Sequence, residues 1–265
     1  MKIYTVDAFT NRPFRGNPAA VCPLSKMLPD DTLQDIACEM NLSETAFFVP
    51  VDDGYHLRWF TPLQEVDLCG HATLATAHIL WQKQYLSEEK IAVFSTLSGT
   101  LTAKKQGDWI AMQFPRGETR PITSSISEIL QALGIENPVF IGQYRPDRYL
   151  IELKNEEQIR QVIPNFSKLK EIGANRIMIT AAGNGEPYDF ISRYFAPGAG
   201  INEDPVTGSA HCYLTPYWAK KTGKNEFSAH QASARGGDLQ LKLTDDHVII
   251  RGQAITMLSA ALNLI

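Results

Sequence analysis

Apolar positions change period several times along the chain. Ile3 to Phe9 alternates as a half-buried strand does, and the turn residues Arg15-Gly16-Asn17-Pro18 interrupt it before Ala19-Ala20-Val21 resumes. Leu33, Ile36, Ala37 and Met40 then fall at helical spacing, with Asp30 or Asp31 as the expected cap and an end near Asn41. Thr45 to Val49 reads as a buried strand, Tyr55 to Thr61 as another, and Leu97 to Phe114 as a hairpin turning at Gln106-Gly107-Asp108. The turn-rich, charged stretch Pro115-Arg116-Gly117-Glu118-Thr119-Arg120-Pro121 follows. Beyond it come a helix through Ile129, Leu130 and Leu133 bounded by Ser127 and Gly134, strands at Arg176 to Thr180 and Tyr188 to Phe195, and a closing pair from Leu239 to Thr256.

Two segments stand apart because they have helical character and no charge: Ala72 to Trp81 and Ala210 to Ala219. A helix that is apolar all round must be buried on all sides. Pro216 inside the second is expected to kink it or shorten it by a turn. Each helix also follows a repeated phrase, Arg58-Trp59-Phe60-Thr61-Pro62 and Arg193-Tyr194-Phe195-Ala196-Pro197, 135 residues apart. Cys69-Gly70-His71-Ala72 matches Thr207-Gly208-Ser209-Ala210 at an offset of 138, so three residues are inserted after the second phrase; Gly107 to Met112 matches Asp245 to Ile250 at the same offset. The period is far beyond the roughly 20–50 residues of solenoid repeats, which points to a duplicated unit. With strands outnumbering helices in each half, the expected architecture is α+β: two pseudo-twofold-related domains, each a mostly antiparallel curved sheet or barrel around a central buried helix. The expected domains are 1–117 and 118–253, with residues 254–265 packing back onto the first.

Composition changes this picture little. A net charge of −4 and the lack of a dense Lys/Arg run argue against a nucleic-acid partner. No apolar run of 18 residues and no signal peptide is present, so a cytoplasmic location without membrane attachment is expected. Cys22, Cys38, Cys69 and Cys212 are too scattered for a CxxC pair and read as free thiols, all but Cys69 as buried small apolar residues. Cys69 alone, before a Gly and a helix, has a position that lowers a thiol pKa. The six histidines lack metal-ligand spacing and no GxGxxG follows a strand, so neither a metal nor a nucleotide cofactor is expected.

The candidate chemistry gathers where the uncharged helices begin, at Gly70-His71 and Gly208-Ser209. A helix N-terminus offers free N–H groups and a positive dipole end, and two related ones converging on a cleft would hold a small carboxylate-bearing substrate. Glu44, just before an apolar strand, is either a solvated strand entry or a carboxylate whose burial raises its pKa for general acid/base work. Asp204 stands between substrate contact and helix capping, and His71 between a neutral site residue and a structural histidine bonded to backbone.

These residues carry a resemblance. Phe14-Arg15-Gly16-Asn17-Pro18-Ala19-Ala20-Val21, Ser43-Glu44-Thr45-Ala46-Phe47, Cys69-Gly70-His71-Ala72-Thr73-Leu74-Ala75, Glu203-Asp204-Pro205-Val206-Thr207-Gly208-Ser209-Ala210-His211 and Ala234-Arg235-Gly236-Gly237 are similar, in order and over most of the chain, to the phenazine-biosynthesis PhzF-like isomerases. The resemblance implies a diaminopimelate-epimerase-like fold, a homodimer, and cofactor-free isomerisation of the kind characterised on trans-2,3-dihydro-3-hydroxyanthranilate. It implies Glu44 as acid/base, with His71, Asp204 and Ser209 binding substrate or assisting, and Gly70 and Gly208 giving backbone N–H groups. Asn17, Cys69 and Thr207 join the candidate substrate-binding set. Diaminopimelate epimerase uses a thiol before each central helix. Here the second position holds Thr207, whose hydroxyl is too weak for that task, so a two-thiol racemase is disfavoured. The alternatives are an epimerase, racemase or lyase using Cys69 or the Glu44/His71 pair, and a non-catalytic binding protein of the same fold.

Overall fold

The computed structural model describes residues 1–263. The chain forms two compact units, residues 1–114 with the chain from 249 onward, and residues 115–248. The first contains β1 (Lys2–Ala8), β2 (Asn17–Pro23), α1 (Asp30–Met40), β3 (Glu44–Val51), β4 (Gly54–Phe60), β5 (Glu65–Val66), α2 (Gly70–Gln82), β6 (Ala92–Thr96), β7 (Gly99–Gln106) and β8 (Trp109–Pro115). The second contains β9 (Arg120–Pro121), α3 (Ser127–Leu133), β10 (Phe140–Arg145), β11 (Arg148–Glu152), α4 (Glu156–Gln161), α5 (Phe166–Glu171), β12 (Arg176–Gly185), β13 (Tyr188–Ala196), a 3-10 turn at Pro197–Ala199, β14 (Ile201–Glu203), α6 (Gly208–Thr222), β15 (Glu226–Gln231) and β16 (Gly237–Leu243). β17 (His247–Gly252) leads back to the first unit, where β18 (Ala254–Ala261) lies antiparallel to β1. Of the C-terminal stretch, residues 264–265 lie outside the described residues.

The fold is α+β and mostly sheet. In the first unit β2–β3 and β4–β6 are parallel while β1–β2, β3–β4, β6–β7 and β7–β8 are antiparallel. The second unit repeats this, with β11–β12 and β13–β15 parallel and β12–β13 and β15–β16 antiparallel. Period-2 alternation assigns the faces. On β2 and β3, Ala20, Cys22, Phe47 and Val49 pack with Leu33, Ile36 and Ala37 of α1. The opposite face receives α2, which packs against β1, β2, β3 and β18 and is buried along nearly its whole length. Asn17 and Glu44 share the parity of that second face.

Three local expectations are corrected. α1 starts after Pro29, without a side-chain cap; Asp30 and Asp31 lie inside its first turn, and Asp30 instead pairs with Arg58. Of the two outcomes expected at Pro216, shortening is not met: α6 runs for 15 residues through it. The carbonyl that loses its i+4 partner there is that of Cys212, and it accepts the Gly117 N–H at 2.9 Å. Gly117 can approach so closely because it has no side chain: a Cβ would stand 2.2 Å from the Tyr213 ring. Cys38 is exposed rather than buried, since it falls on the outer stripe of α1, whereas Cys22 and Cys212 are buried.

The repeated phrase has a physical content. Arg58 Nε and Nη2 each donate to Glu65 at 2.7 Å, clamping β4 to β5. Arg193 Nε and Nη2 donate to Glu203 at 2.8 and 2.9 Å, clamping β13 to β14. Each guanidinium also lies over the Phe two residues on, 5.0 Å from the Phe60 ring centre and 4.9 Å from that of Phe195. The three inserted residues are accounted for by the turn Pro197–Ala199 between Phe195 and Glu203. Arg193 additionally donates to the carbonyls of Ile159 and Val162 at 3.1 and 2.7 Å, whereas the third contact of Arg58 is the exposed Asp30. An ammonium cannot replace these forks. With charged hydrogen bonds worth about 1.5–3 kcal/mol each where buried, Arg193→Lys is expected to cost roughly 2–4 kcal/mol and Arg58→Lys about 1–2 kcal/mol. Urea denaturation of the two variants checks the order; equal losses would contradict it.

Candidate functional site

In the first unit the site begins with a turn. Gly16 has φ +67°, and a Cβ there would lie 2.1 Å from the Ala8 carbonyl oxygen, so only glycine fits. That turn delivers Asn17 as the first residue of β2, fully buried and on the α2 face. Parallel register places Glu44, the first residue of β3, beside Ala19. Cys69 is the extended residue before α2 and makes no side-chain cap bond; His71 lies in its first turn.

These side chains meet. Glu44 Oε2 stands 3.2 Å from His71 Nε2, while His71 Nδ1 faces Asn17 Nδ2 at 3.2 Å and Cys69 Sγ at 3.4 Å. The Glu44–His71 approach has ion-pair distance but its angle falls outside hydrogen-bond geometry, leaving Nε2 without an aligned partner. Asn17 presents an amide N–H to Nδ1, which must therefore accept, and the imidazole proton belongs on Nε2, toward Glu44. Burial pulls the His71 pKa down to about 3. The neighbouring carboxylate favours the imidazolium, but a second proton on Nδ1 would confront the Asn17 amide donor; burial and Asn17 together keep the ring neutral.

Glu44, Cys69 and His71 bring ligand-type atoms within 4.8 Å of one another, a grouping of metal-binding character that sequence spacing did not suggest. The His71 ring, however, turns Nδ1 to Cys69 and Nε2 to Glu44. One ion would have to choose a single nitrogen, so the arrangement does not converge as a chelate does.

The second unit builds a different group at the matching helix. The Thr207 hydroxyl donates to Asp204 Oδ2 at 2.5 Å. Gln231, fully buried on β15, accepts the Thr207 N–H at 2.8 Å and donates to the Asp204 carbonyl at 2.7 Å and to Thr207 Oγ1 at 3.2 Å. Because the Gln231 amide donates to Thr207 Oγ1, the hydroxyl proton is directed at Asp204. Gly208 is buried at the start of α6, whereas Ser209 is exposed on its first turn and joins neither network. The sequence reading missed Gln231 as a member, and it left Asn17 without a specific contact. A buried Gln in a strand was the available signal for the former.

The PhzC-PhzF family, described as phenazine biosynthesis-like protein, matches residues 6–260. An uncharacterized isomerase of Halalkalibacterium halodurans is 53% identical over 262 residues, covering 99% of this chain and 98% of its own. A crystal structure of a PhzF-family protein from Enterococcus faecalis superposes with a TM-score of 0.91 at 42% identity, covering 99% of each chain. A hydroxyproline epimerase from Agrobacterium vitis, solved with bound trans-4-OH-L-proline, shares the fold at a TM-score of 0.63 and 12% identity, covering 98% of this chain and 91% of its own.

Burial also lowers His78 and His211, each to about 4. All three folded values lie below the ordinary histidine pKa, so their contribution to stability is complete above about pH 6.5 and is lost as pH falls toward 4, by at most about 1.4 kcal/mol per pH unit for each ring. Nitrogen-15 NMR is expected to show His71 as the neutral Nε2–H tautomer from pH 5.5 to 8. Titration of that ring inside the window would contradict the assignment.

Proposed function

The chain belongs to the phenazine biosynthesis-like family and is an isomerase, and on that premise we propose that it shifts a proton within a small carboxylate-bearing metabolite with Glu44 as the general acid/base. The observation that carries the proposal is the Glu44 carboxylate at 3.2 Å from an imidazole whose other nitrogen is occupied by Asn17. A neutral Nε2–H lies beside the carboxylate and does not take its proton away. Glu44 would receive a proton from one substrate carbon and return it to another. Asn17 would hold the His71 ring beside it, and the Gly70 end of α2 would offer N–H groups to negative charge. In the second unit Asp204, Thr207 and Gly208 would contact substrate, with Ser209 as an exposed hydroxyl on the same turn. The hydroxyproline epimerase, a neighbour in fold alone, was solved with a small amino acid bound, which suits the proposed substrate class.

The proposal includes action without a cofactor, a homodimer, and a cytoplasmic location consistent with free Cys22, Cys38, Cys69 and Cys212; among the described residues no helix is long and apolar enough to cross a membrane. Light scattering on the purified protein would test the dimer.

Cys69 Sγ, 3.4 Å from His71 Nδ1, supports a second reading, an epimerase in which the thiol shares the proton work. Thr207 cannot be its counterpart thiol, and its hydroxyl is already committed to Asp204. Small cyclic and aliphatic acids incubated with the protein in deuterated water, with exchange read by mass spectrometry, separate the two readings: inversion at a single stereocentre marks epimerisation. For the main proposal, Glu44→Gln is expected to keep its fold and lose roughly 10²–10⁴-fold in exchange rate, the usual range for removing a general base. Full exchange by that variant would remove Glu44 from the mechanism.

A further inference from the structure

The strand registers show what the second unit carries at the address of Glu44. Phe60 pairs with Thr45 across β3–β4, and its counterpart Phe195 pairs with Ile177 across β12–β13. One residue earlier, Glu44 therefore corresponds to Arg176. The parallel neighbour of Glu44 is Ala19, and that of Arg176 is Arg148. Two arginines thus stand directly side by side on adjacent strands.

Their face is fixed by the residues that alternate with them. Arg176 shares parity with Thr180, whose hydroxyl accepts the Trp218 indole N–H of α6 at 3.1 Å. Arg148 shares parity with Glu152, which accepts the Tyr217 hydroxyl of α6 at 2.5 Å. Both guanidinium groups therefore emerge on the α6 side. Two tyrosines lie on the same side: Tyr144 packs 4.5 Å from the Tyr213 ring of α6, and its hydroxyl is 3.2 Å from that of Tyr194. The Tyr194 carbonyl in turn accepts the Asp204 N–H at 3.0 Å, which places the group next to the Asp204–Thr207 turn.

The Asp204 carboxylate acts electrostatically on Tyr194, and a single carboxylate offsets at most one of the two guanidinium charges. Arg148 and Arg176 are half-buried, and neither forms a salt bridge with a described residue. Like charges directly opposite on neighbouring strands repel, so an arrangement that keeps them there favours an anion between them. Both guanidinium groups act electrostatically on the Tyr144 and Tyr194 hydroxyls, whose pKa values burial pushes up. The tyrosines stay protonated. Since one hydroxyl donates to the other, one O–H proton of the pair remains to be donated elsewhere.

We propose that Arg148, Arg176 and the Tyr144–Tyr194 hydroxyl pair form an oxyanion-binding site within the second unit, suited to a carboxylate or a phosphate group. Paired guanidinium groups supply the charge and planar N–H forks, and the tyrosine pair supplies a neutral donor. The site does not depend on Glu44 being the base, so it is tested by binding rather than turnover.

Isothermal titration with benzoate and, separately, inorganic phosphate at low chloride reads it directly, because added salt screens such a site. At least one probe is expected to bind the full chain, and Arg148→Gln and Arg176→Gln are each expected to weaken it tenfold or more. Glu44→Gln is expected to bind as the parent does. Benzoate alone binding assigns a carboxylate, phosphate alone a phosphate group, and both together the shared oxyanion chemistry. Without anion, both arginine variants are expected to melt at or above the parent temperature, since each relieves repulsion. The proposal is overturned if neither probe binds at millimolar concentration, if both variants bind unchanged, or if they lose thermal stability without anion and bind no more weakly once folded.

Discussion

The burial of an uncharged helix is the constraint on which the first unit depends. From Gly70 to Trp81, α2 carries no charged side chain, and its threonines turn back on its own backbone: Thr73 donates to the Cys69 carbonyl at 2.6 Å and Thr76 to that of Ala72 at 2.7 Å. In α6, His211 Nδ1 lies 2.9 Å from the Thr207 carbonyl and Thr215 donates to that of His211 at 2.6 Å. Helices treated in this way can be enclosed by sheet with few polar groups unmatched; His71 Nε2 and His211 Nε2 are buried without a hydrogen bond. Chemistry is then confined to the first turn of α2, where Cys69 and His71 point at residues from the strand starts. The site is a consequence of where an enclosed helix still has exposed backbone donors.

The repeated phrase was legible because it encodes a covalently local device. Arg, then an aromatic, then Phe on one strand puts the guanidinium over the Phe ring two residues on, and the short strand that follows returns a Glu to meet it. Arg58 and Arg193 do this in the same way despite the longer second turn. The uncharged helices, the Gly134 stop and the strands flanking them were legible for a similar reason, since periodicity and turn chemistry act over a few residues. The family motifs carry the expectation of Glu44 as acid/base, where spacing alone left it between strand entry and acid/base.

What stayed hidden depends on contacts far apart in sequence. Asn17 orients His71 across 54 positions, and Gln231 fixes the Asp204–Thr207 turn across 24 to 27. Neither has a motif that predicts its partner. Pro216 is instructive: the expectation that it shortens its helix assumes that the freed carbonyl is left alone, and here Gly117 satisfies it from within the same unit. Cys38 shows the converse, a small apolar residue whose exposure is set by the stripe of α1 on which it falls. The pairing of Arg148 with Arg176 needed register, which sequence pattern does not supply.

Duplication produces two copies of a backbone address, and the side chains there have diverged in sign. Glu44 and Arg176 occupy the same register position, beside Ala19 and Arg148 respectively. The adjoining helix starts diverge with them. Cys69 and His71 gather around a carboxylate in one unit, while Thr207 donates to Asp204 under the control of Gln231 in the other. A proton-shifting enzyme acting on an anionic metabolite has two tasks that conflict at a single site. A basic carboxylate repels the substrate's negative charge, and a guanidinium close enough to hold that charge would lower the pKa of the base. On the functions proposed, the base stands at one copy of the address and the charge-holding arginines at the other, each within its own unit, so neither copy carries both demands.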